Sequence, residues 1–267
     1  MERGEFPARI GAILSIGGLL MLAAPVLGGA GASAAAPAVA PAAPVVLGAA
    51  GDPGIVRVLP APAEPESEPN VMVYVEGSMP VTSRPGGGRV VGTMAAGSKY
   101  YRAPLVAWVL ETARHGRYGL VTLPYSGSRE TGWIPLRGLE TATTWVTVEV
   151  DLSRHVVVVE RRDRVIARFP AATGSPVSPT PPGKYFVTDR VPFGGGSYYG
   201  SFAFGISGIQ TNLPPGWSGG NQLAIHGTND PSSIGRSASA GCLRVSEAAL
   251  DRLKPLLDLG TPVVIRS

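Results

Sequence analysis

Cys242 and His226 are the residues of this chain whose types and placement could do covalent chemistry. Cys242 is the only cysteine, and His226, one of three histidines, lies a short way upstream of it. A free thiol has a pKa of about 8.5, so near neutral pH it needs a base or a positive neighbour to become a nucleophile. An imidazole within hydrogen-bond reach supplies that, and Cys–His is a recurring way to activate a nucleophile. The stretch between them is rich in Gly, Ser and Asn, so it can turn back and bring the two side chains together. Gly241, directly before Cys242, lets backbone amides point at one spot, as an oxyanion hole requires. Arg244 offers a fork of donors to a substrate carboxylate. Taken alone, a single Cys is usually a small buried hydrophobe and a single His a satisfied polar side chain. The neighbours shift the balance toward chemistry.

The string Ala224-Ile225-His226-Gly227-Thr228-Asn229, followed by Ser239-Ala240-Gly241-Cys242-Leu243-Arg244, resembles the signature of the L,D-transpeptidases and their YkuD-type catalytic domain. The resemblance runs from about Trp145 to the end. It takes in the segment 148–153, then Phe169-Pro170, Thr173-Gly174 and the segment 178–185, in the family's order. It implies that Cys242 attacks the amide between the third and fourth residues of a peptidoglycan stem peptide, releasing D-alanine and leaving a thioester. The side-chain amine of another stem's third residue then resolves that thioester. On the same resemblance His226 is the base, the backbone carbonyl of Gly227 orients it, and amides around Ala240, Gly241 and Cys242 hold the oxyanion. Ser239 matches the family serine, which implies an orienting role, a simple turn residue being the alternative. No metal or organic cofactor is implied, and the thiol is an expected target of carbapenems. The chain departs from the pattern at Ala240, where many members carry a second His, so any role of an imidazole there is absent or supplied elsewhere.

A Gly-rich segment, 193–220, carries several aromatics beside this site and reads as a lid or substrate wall. Phe202 and Phe204 read as core residues of a strand, leaving Tyr198, Tyr199 and Trp217 for the lid. With Arg244 and Thr228 these are the candidate substrate-binding residues. Gly216-Trp217-Ser218-Gly219-Gly220 satisfies the G-x-S-x-G pattern of a nucleophile elbow, but Pro214-Pro215 precede it and a strand follows. The elbow needs a strand before it and a helix after it. His115 and His155 have no ligand spacing that would make a zinc site.

The elements that must position these residues are mainly β. Expected strands fall at 71–75, 79–83, 90–94, 107–110, 118–123 and 132–135, with turn chemistry at 85–88. Short, regularly punctuated strands of this kind read as a small barrel over 70–141. Its order of motifs resembles a bacterial Src-homology-3-like domain, which implies either wall binding or a spacer packed on the next domain. Tyr74, Tyr100, Tyr101, Trp108 and Trp133 could line a groove there or form its core. From 143 to 267 the pattern is a β-sandwich. Val146, Val148 and Val150 alternate with polar residues, and further strands fall at 156–160, 165–169, 184–188, 202–206, 223–226 and 262–266. One helix is expected, with Ser246 as N-cap, Leu250, Leu253 and Leu257 on one face, and Pro255 kinking or splitting it.

The first 34 residues read as an export signal: Arg3 and Arg9 precede an apolar stretch that ends in Ala32-Ser33-Ala34, an A-x-A cleavage pattern. A retained membrane anchor is the alternative. Residues 35–69, mostly Ala, Pro and Gly, read as an extended tether. A net charge of +4 with no basic run excludes a nucleic-acid footprint. The expectation is a secreted, cell-wall-associated monomer acting on a donor tetrapeptide and an acceptor amine. An L,D-carboxypeptidase, using water in place of the amine, and a catalytically silent wall-binding module are the alternatives.

Overall fold

The computed structural model describes residues 67–127, 130–194 and 196–267. The expected export segment 1–34 and the tether up to residue 66 lie outside the described residues. The described residues fall in one compact unit that contains two large sheets.

The first sheet comprises β1 (Asn70–Tyr74), β2 (Met79–Arg84), β3 (Gly87–Met94), β4 (Val106–Ala113), β5 (Tyr118–Thr122), β6 (Thr131–Pro135) and β7 (Thr141–Thr144). Every neighbouring pair is antiparallel, in the order β3-β2-β6-β5-β4-β1-β7. The ladder runs from edge strand β3 to edge strand β7. β7 pairs with β1, so this sheet continues past residue 141. Val73, Val81, Val109, Val121 and Ile134 alternate inward and form its core.

The second region comprises β8 (Val146–Asp151), β9 (Val156–Arg161), β10 (Arg164–Pro170), β11 (Thr173–Gly174), β12 (Gly183–Pro192), β13 (Phe202–Ile209), β14 (Gln222–His226), β15 (Ser237–Ser239), β16 (Leu243–Arg244), α1 (Glu247–Leu253) and β17 (Pro262–Arg266). Eight strands form one sheet in the order β10-β9-β8-β17-β12-β13-β14-β16, and β11 pairs with β15. β12 serves both halves of the large sheet. Residues from Gly183 to Phe186 pair with β17, and those from Val187 onward with β13, where the register shifts between Val187 and Asp189. The halves fold over one apolar core that includes Val148, Val157, Tyr185, Phe204, Ile225 and Leu250. This is a mainly β structure with a single α-helix among the described residues.

β12 also joins the two sheets, because its alternating side chains reach two cores. Tyr185 and Val187 enter the second core while Phe186 enters the first. Beside that junction the Thr122 hydroxyl donates to the Lys184 carbonyl at 3.1 Å. The helix starts as its cap predicts, with Ser246 Oγ accepting from the Ala249 amide at 3.2 Å. It is shorter than the leucine spacing implied. Lys254 is its C-cap, and Pro255 follows at once, where its ring would clash with a preceding carbonyl. Leu257 is therefore beyond the helix, yet still fully buried in the core. Arg190 donates to the C-cap carbonyl, Lys254 O, at 2.9 Å and to Leu257 O beyond the helix at 2.6 Å.

Candidate active site

The alternation of two parallel strands builds the site. β14 and β16 pair with Ile225 opposite Leu243 and His226 opposite Arg244. Leu223, Ile225, Leu243 and Val245 turn into the core. The residues between them, Gln222, Ala224, His226, Cys242 and Arg244, line a cavity of about 270 Å³. Cys242, directly before β16, and His226, at the end of β14, thus line one cavity.

His226 is almost fully buried, at 1% exposure. Its Nδ1 lies 2.5 Å from the Gly227 carbonyl oxygen. A carbonyl can only accept, so Nδ1 carries the proton and Nε2 keeps its lone pair. Tyr199 covers the imidazole edge-on, with ring centroids 5.0 Å apart, and Phe193 stacks on Tyr199 at 5.2 Å. Burial pushes the His226 pKa down to about 4, against the opposing pull of the Gly227 carbonyl. Cys242 is half-buried, and its thiol donates to the Gln222 carbonyl at 3.7 Å. Burial pushes that thiol up to about 11. Burial thus works against the charged form of each group and favours a neutral thiol and a neutral imidazole in this cavity.

A tight turn presents Cys242. Gly241 has φ 115°, a conformation that suits glycine alone. Ser239 Oγ donates to the Cys242 carbonyl at 2.6 Å and accepts from the Gly241 amide at 3.0 Å, stapling the turn. Thr180 Oγ1 donates to the Gly241 carbonyl at 2.8 Å from the other side. The Gly241 amide, one of those expected at an oxyanion, donates to Ser239 Oγ in this structure. Ala240 and Cys242 both line the cavity.

Arg244 is buried, at 6% exposure, and forms no ion pair among the described residues. One Nη donates to the Tyr198 hydroxyl, the guanidinium lies 4.8 Å from that ring's centroid, and Nε has no hydrogen-bond partner among the described residues. Desolvation lowers its pKa. Tyr198, Tyr199 and Trp217 all line the cavity, with Trp217 Nε1 donating to the Gly220 carbonyl at 3.0 Å. Thr228, expected on the substrate side, does not line it. Its hydroxyl accepts from the Asp230 amide at 3.0 Å and braces its own loop. The 216–220 stretch is a loop between β13 and β14, with no helix after it.

Residues 146–265 match the family model of the YkuD L,D-transpeptidase catalytic domain. The YkuD protein of Bacillus licheniformis is 30% identical over 118 residues, covering 44% of this chain and 64% of its own. That of Bacillus subtilis is 27% identical over 118 residues, with the same coverage of 44% and 64%. The chain thus spans somewhat under two thirds of the length of the curated relatives it matches. Among solved structures, an L,D-transpeptidase from Mycobacterium smegmatis aligns with 73% of this chain and 99% of its own, at 16% identity and a TM-score of 0.40. Every residue placed above at the thiol and imidazole lies within the matched domain.

Sequence reasoning missed several cavity residues. Gln222 was within its reach, because it lies two alternations before His226 on the same strand face. Gln210, which donates to the Pro179 carbonyl at 2.9 Å, and Tyr100 and Tyr101, which reach the cavity from the first sheet, were not. Their approach depends on contacts between segments far apart in the chain.

Proposed function

We propose that this protein is a secreted peptidoglycan L,D-transpeptidase working through a cysteine thioester. The observation that carries this is the shared cavity of Cys242 and His226, with the imidazole held by Gly227 so that Nε2 is its free base. In this reading the Cys242 proton passes to His226 Nε2 as Sγ attacks the amide carbon between the third and fourth stem residues. The amides of Ala240 and Cys242 receive the developing oxyanion. Collapse breaks the C–N bond, and His226 returns its proton to the leaving D-alanine nitrogen. The acceptor amine then attacks the thioester, giving its proton to His226, and the thiolate leaves and is reprotonated. The carboxylate of the stem peptide gives Arg244 the counter-charge it lacks among the described residues. We assign residues 70–141 to a Src-homology-3-like domain, residues 1–34 to export and 35–69 to a tether, and expect a monomer inhibited by carbapenems.

Incubating the full chain with disaccharide-tetrapeptide and reading products by mass spectrometry tests this. The expected product is a dimer that has lost one D-alanine, absent with Cys242→Ala. Tripeptide alone would make the protein a carboxypeptidase. Untouched substrate, with the protein folded and Cys242 reduced, would make it a silent module.

Arg244→Met separates the substrate role of the guanidinium from a structural one. A charge-assisted hydrogen bond contributes about 1.5–3 kcal/mol, so KM is expected to rise by about tenfold or more with kcat little changed. Melting temperature should hold or increase, because a buried cation with no counter-charge among the described residues is removed. A fall in stability with unchanged KM would reassign Arg244 to the scaffold.

A further inference from the structure

The cavity around Cys242 has one wall that does not come from the domain carrying the thiol. Between β3 and β4 the chain forms a loop closed by a bridge between Gly97 and Pro104. Within it the Ser98 amide donates to the Ala103 carbonyl at 2.8 Å, and the Ala103 amide to Ser98 Oγ at 3.1 Å. Ser98 is fully buried, and its hydroxyl donates to the Asp189 carboxylate on β12. Asp189 is also fully buried and accepts from Thr188 Oγ1 at 2.7 Å and Gln222 Nε2 at 2.8 Å. No cation pairs with it among the described residues, so these neutral donors are what satisfy its oxygens. A carboxylate satisfied this way fixes the root of the loop firmly, since loss of a donor leaves a buried acceptor short. The same Gln222 offers its backbone carbonyl to the Cys242 thiol.

The loop carries two tyrosines into the cavity, and they are used differently. Tyr100 donates its hydroxyl to Asn221 Oδ1 at 2.8 Å and packs edge-on against Tyr125, with centroids 5.7 Å apart. It is a strut. Tyr101 is 53% exposed and makes no hydrogen bond among the described residues, yet it lines the cavity with Cys242. It sits near enough to Tyr199 for charge on one phenol to raise the pKa of the other. A half-exposed aromatic on an anchored loop provides contact area at small entropic cost, and its hydroxyl can meet a peptide amide.

We propose that this loop of the first sheet is a wall of the substrate cleft, and that Tyr101 is a specificity-determining residue contacting the main chain of the peptidyl substrate. Ser98 and Asp189 are the anchor that aims it. The first sheet is then part of the reaction site as well as a neighbour of it. This rests on the acyl-transfer reading above, so the test separates the two.

Protection of Cys242 from iodoacetamide by disaccharide-tetrapeptide measures cleft occupancy whether or not turnover follows. With the full chain, Tyr101→Ala is expected to need about tenfold more peptide for half-protection, the loss of one good contact. The alkylation rate without peptide should stay within about twofold of wild type, because Cys242 and its turn are untouched. Tyr101→Phe, which keeps the ring, should recover at least half of the lost affinity on a logarithmic scale. An unchanged half-protection concentration, or a wild-type cleft the peptide does not protect, overturns the proposal. An altered bare alkylation rate does so too, by making Tyr101 structural. Release of D-alanine by wild type in the same samples tests the reaction separately: protection without release would keep the cleft and refute the chemistry.

Discussion

Replacing His226 with glutamine is expected to lower acyl transfer by about three orders of magnitude, within the usual range for a lost general base. The pH profile should identify the cause. With its pKa near 4, His226 is a free base across the neutral range. Wild-type kcat/KM should therefore stay level near pH 7 and fall only as pH drops toward 4. An imidazole at its ordinary value would place that limb near 6.5. In His226→Gln the acid limb disappears, and the residual rate climbs with pH toward the ionisation of Cys242 at about 11, because only the thiolate can then attack. D-Alanine release between pH 4 and 10 reads both profiles. A wild-type limb near 6.5 would mean that the imbalance drawn from burial is wrong.

The same depression makes stability depend on pH, and its sign is fixed. As pH falls, the unfolded chain protonates His226 near 6.5, before the folded chain does near 4. Stability is whole above about 6.5, declines between 6.5 and 4, and has lost the full contribution below that. The gap between the two values corresponds to about 3 kcal/mol. Urea midpoints at several pH values across that window should fall in wild type and lose this component in His226→Gln. Cys242 acts at the other end, since a thiol pushed up from 9.0 to about 11 costs stability as pH rises through that interval.

Much of this architecture was legible because local alternation and burial coincide. Val146, Val148 and Val150 face the core and their polar neighbours do not, as a half-buried strand requires. The convergence of Cys242 and His226 was legible for a similar reason, with a turning segment between two short strands. The least legible elements were β11, β15 and β16. Strands of two or three residues have no periodicity of their own, and pairing with distant partners forms them. Hydrogen-bond allocation was equally hidden. Nothing in the order of residues says that Ser239 takes the Gly241 amide, or that Thr228 turns its hydroxyl inward. Phe186 crossing to the other core, and Tyr101 crossing to the cavity, belong to the packing of one sheet on another. No window of sequence contains both partners.

The turn at Gly241 is where backbone geometry and chemistry are most tightly joined, and Gly241→Ala should expose that. At φ 115° an L side chain is strained whatever space surrounds it, by about 1–3 kcal/mol. Space is short as well: a Cβ there would press on Gln210 Nε2, with Gln210 Cδ at 3.2 Å. Gln210 cannot simply swing aside, because its amide donates to Pro179 O and accepts from the Asn212 amide. The turn itself must give, loosening the bonds from Ser239 and Thr180 and shifting the amides on either side. Misplacing one oxyanion donor costs about 3–4 kcal/mol, so kcat should fall by about a hundredfold to a thousandfold while KM changes little. Adding Gln210→Ala removes the collision but leaves φ unchanged, so most of the loss should persist. Near-complete recovery in the double variant would assign the effect to space, and wild-type kcat in Gly241→Ala would show that this turn does not hold the oxyanion.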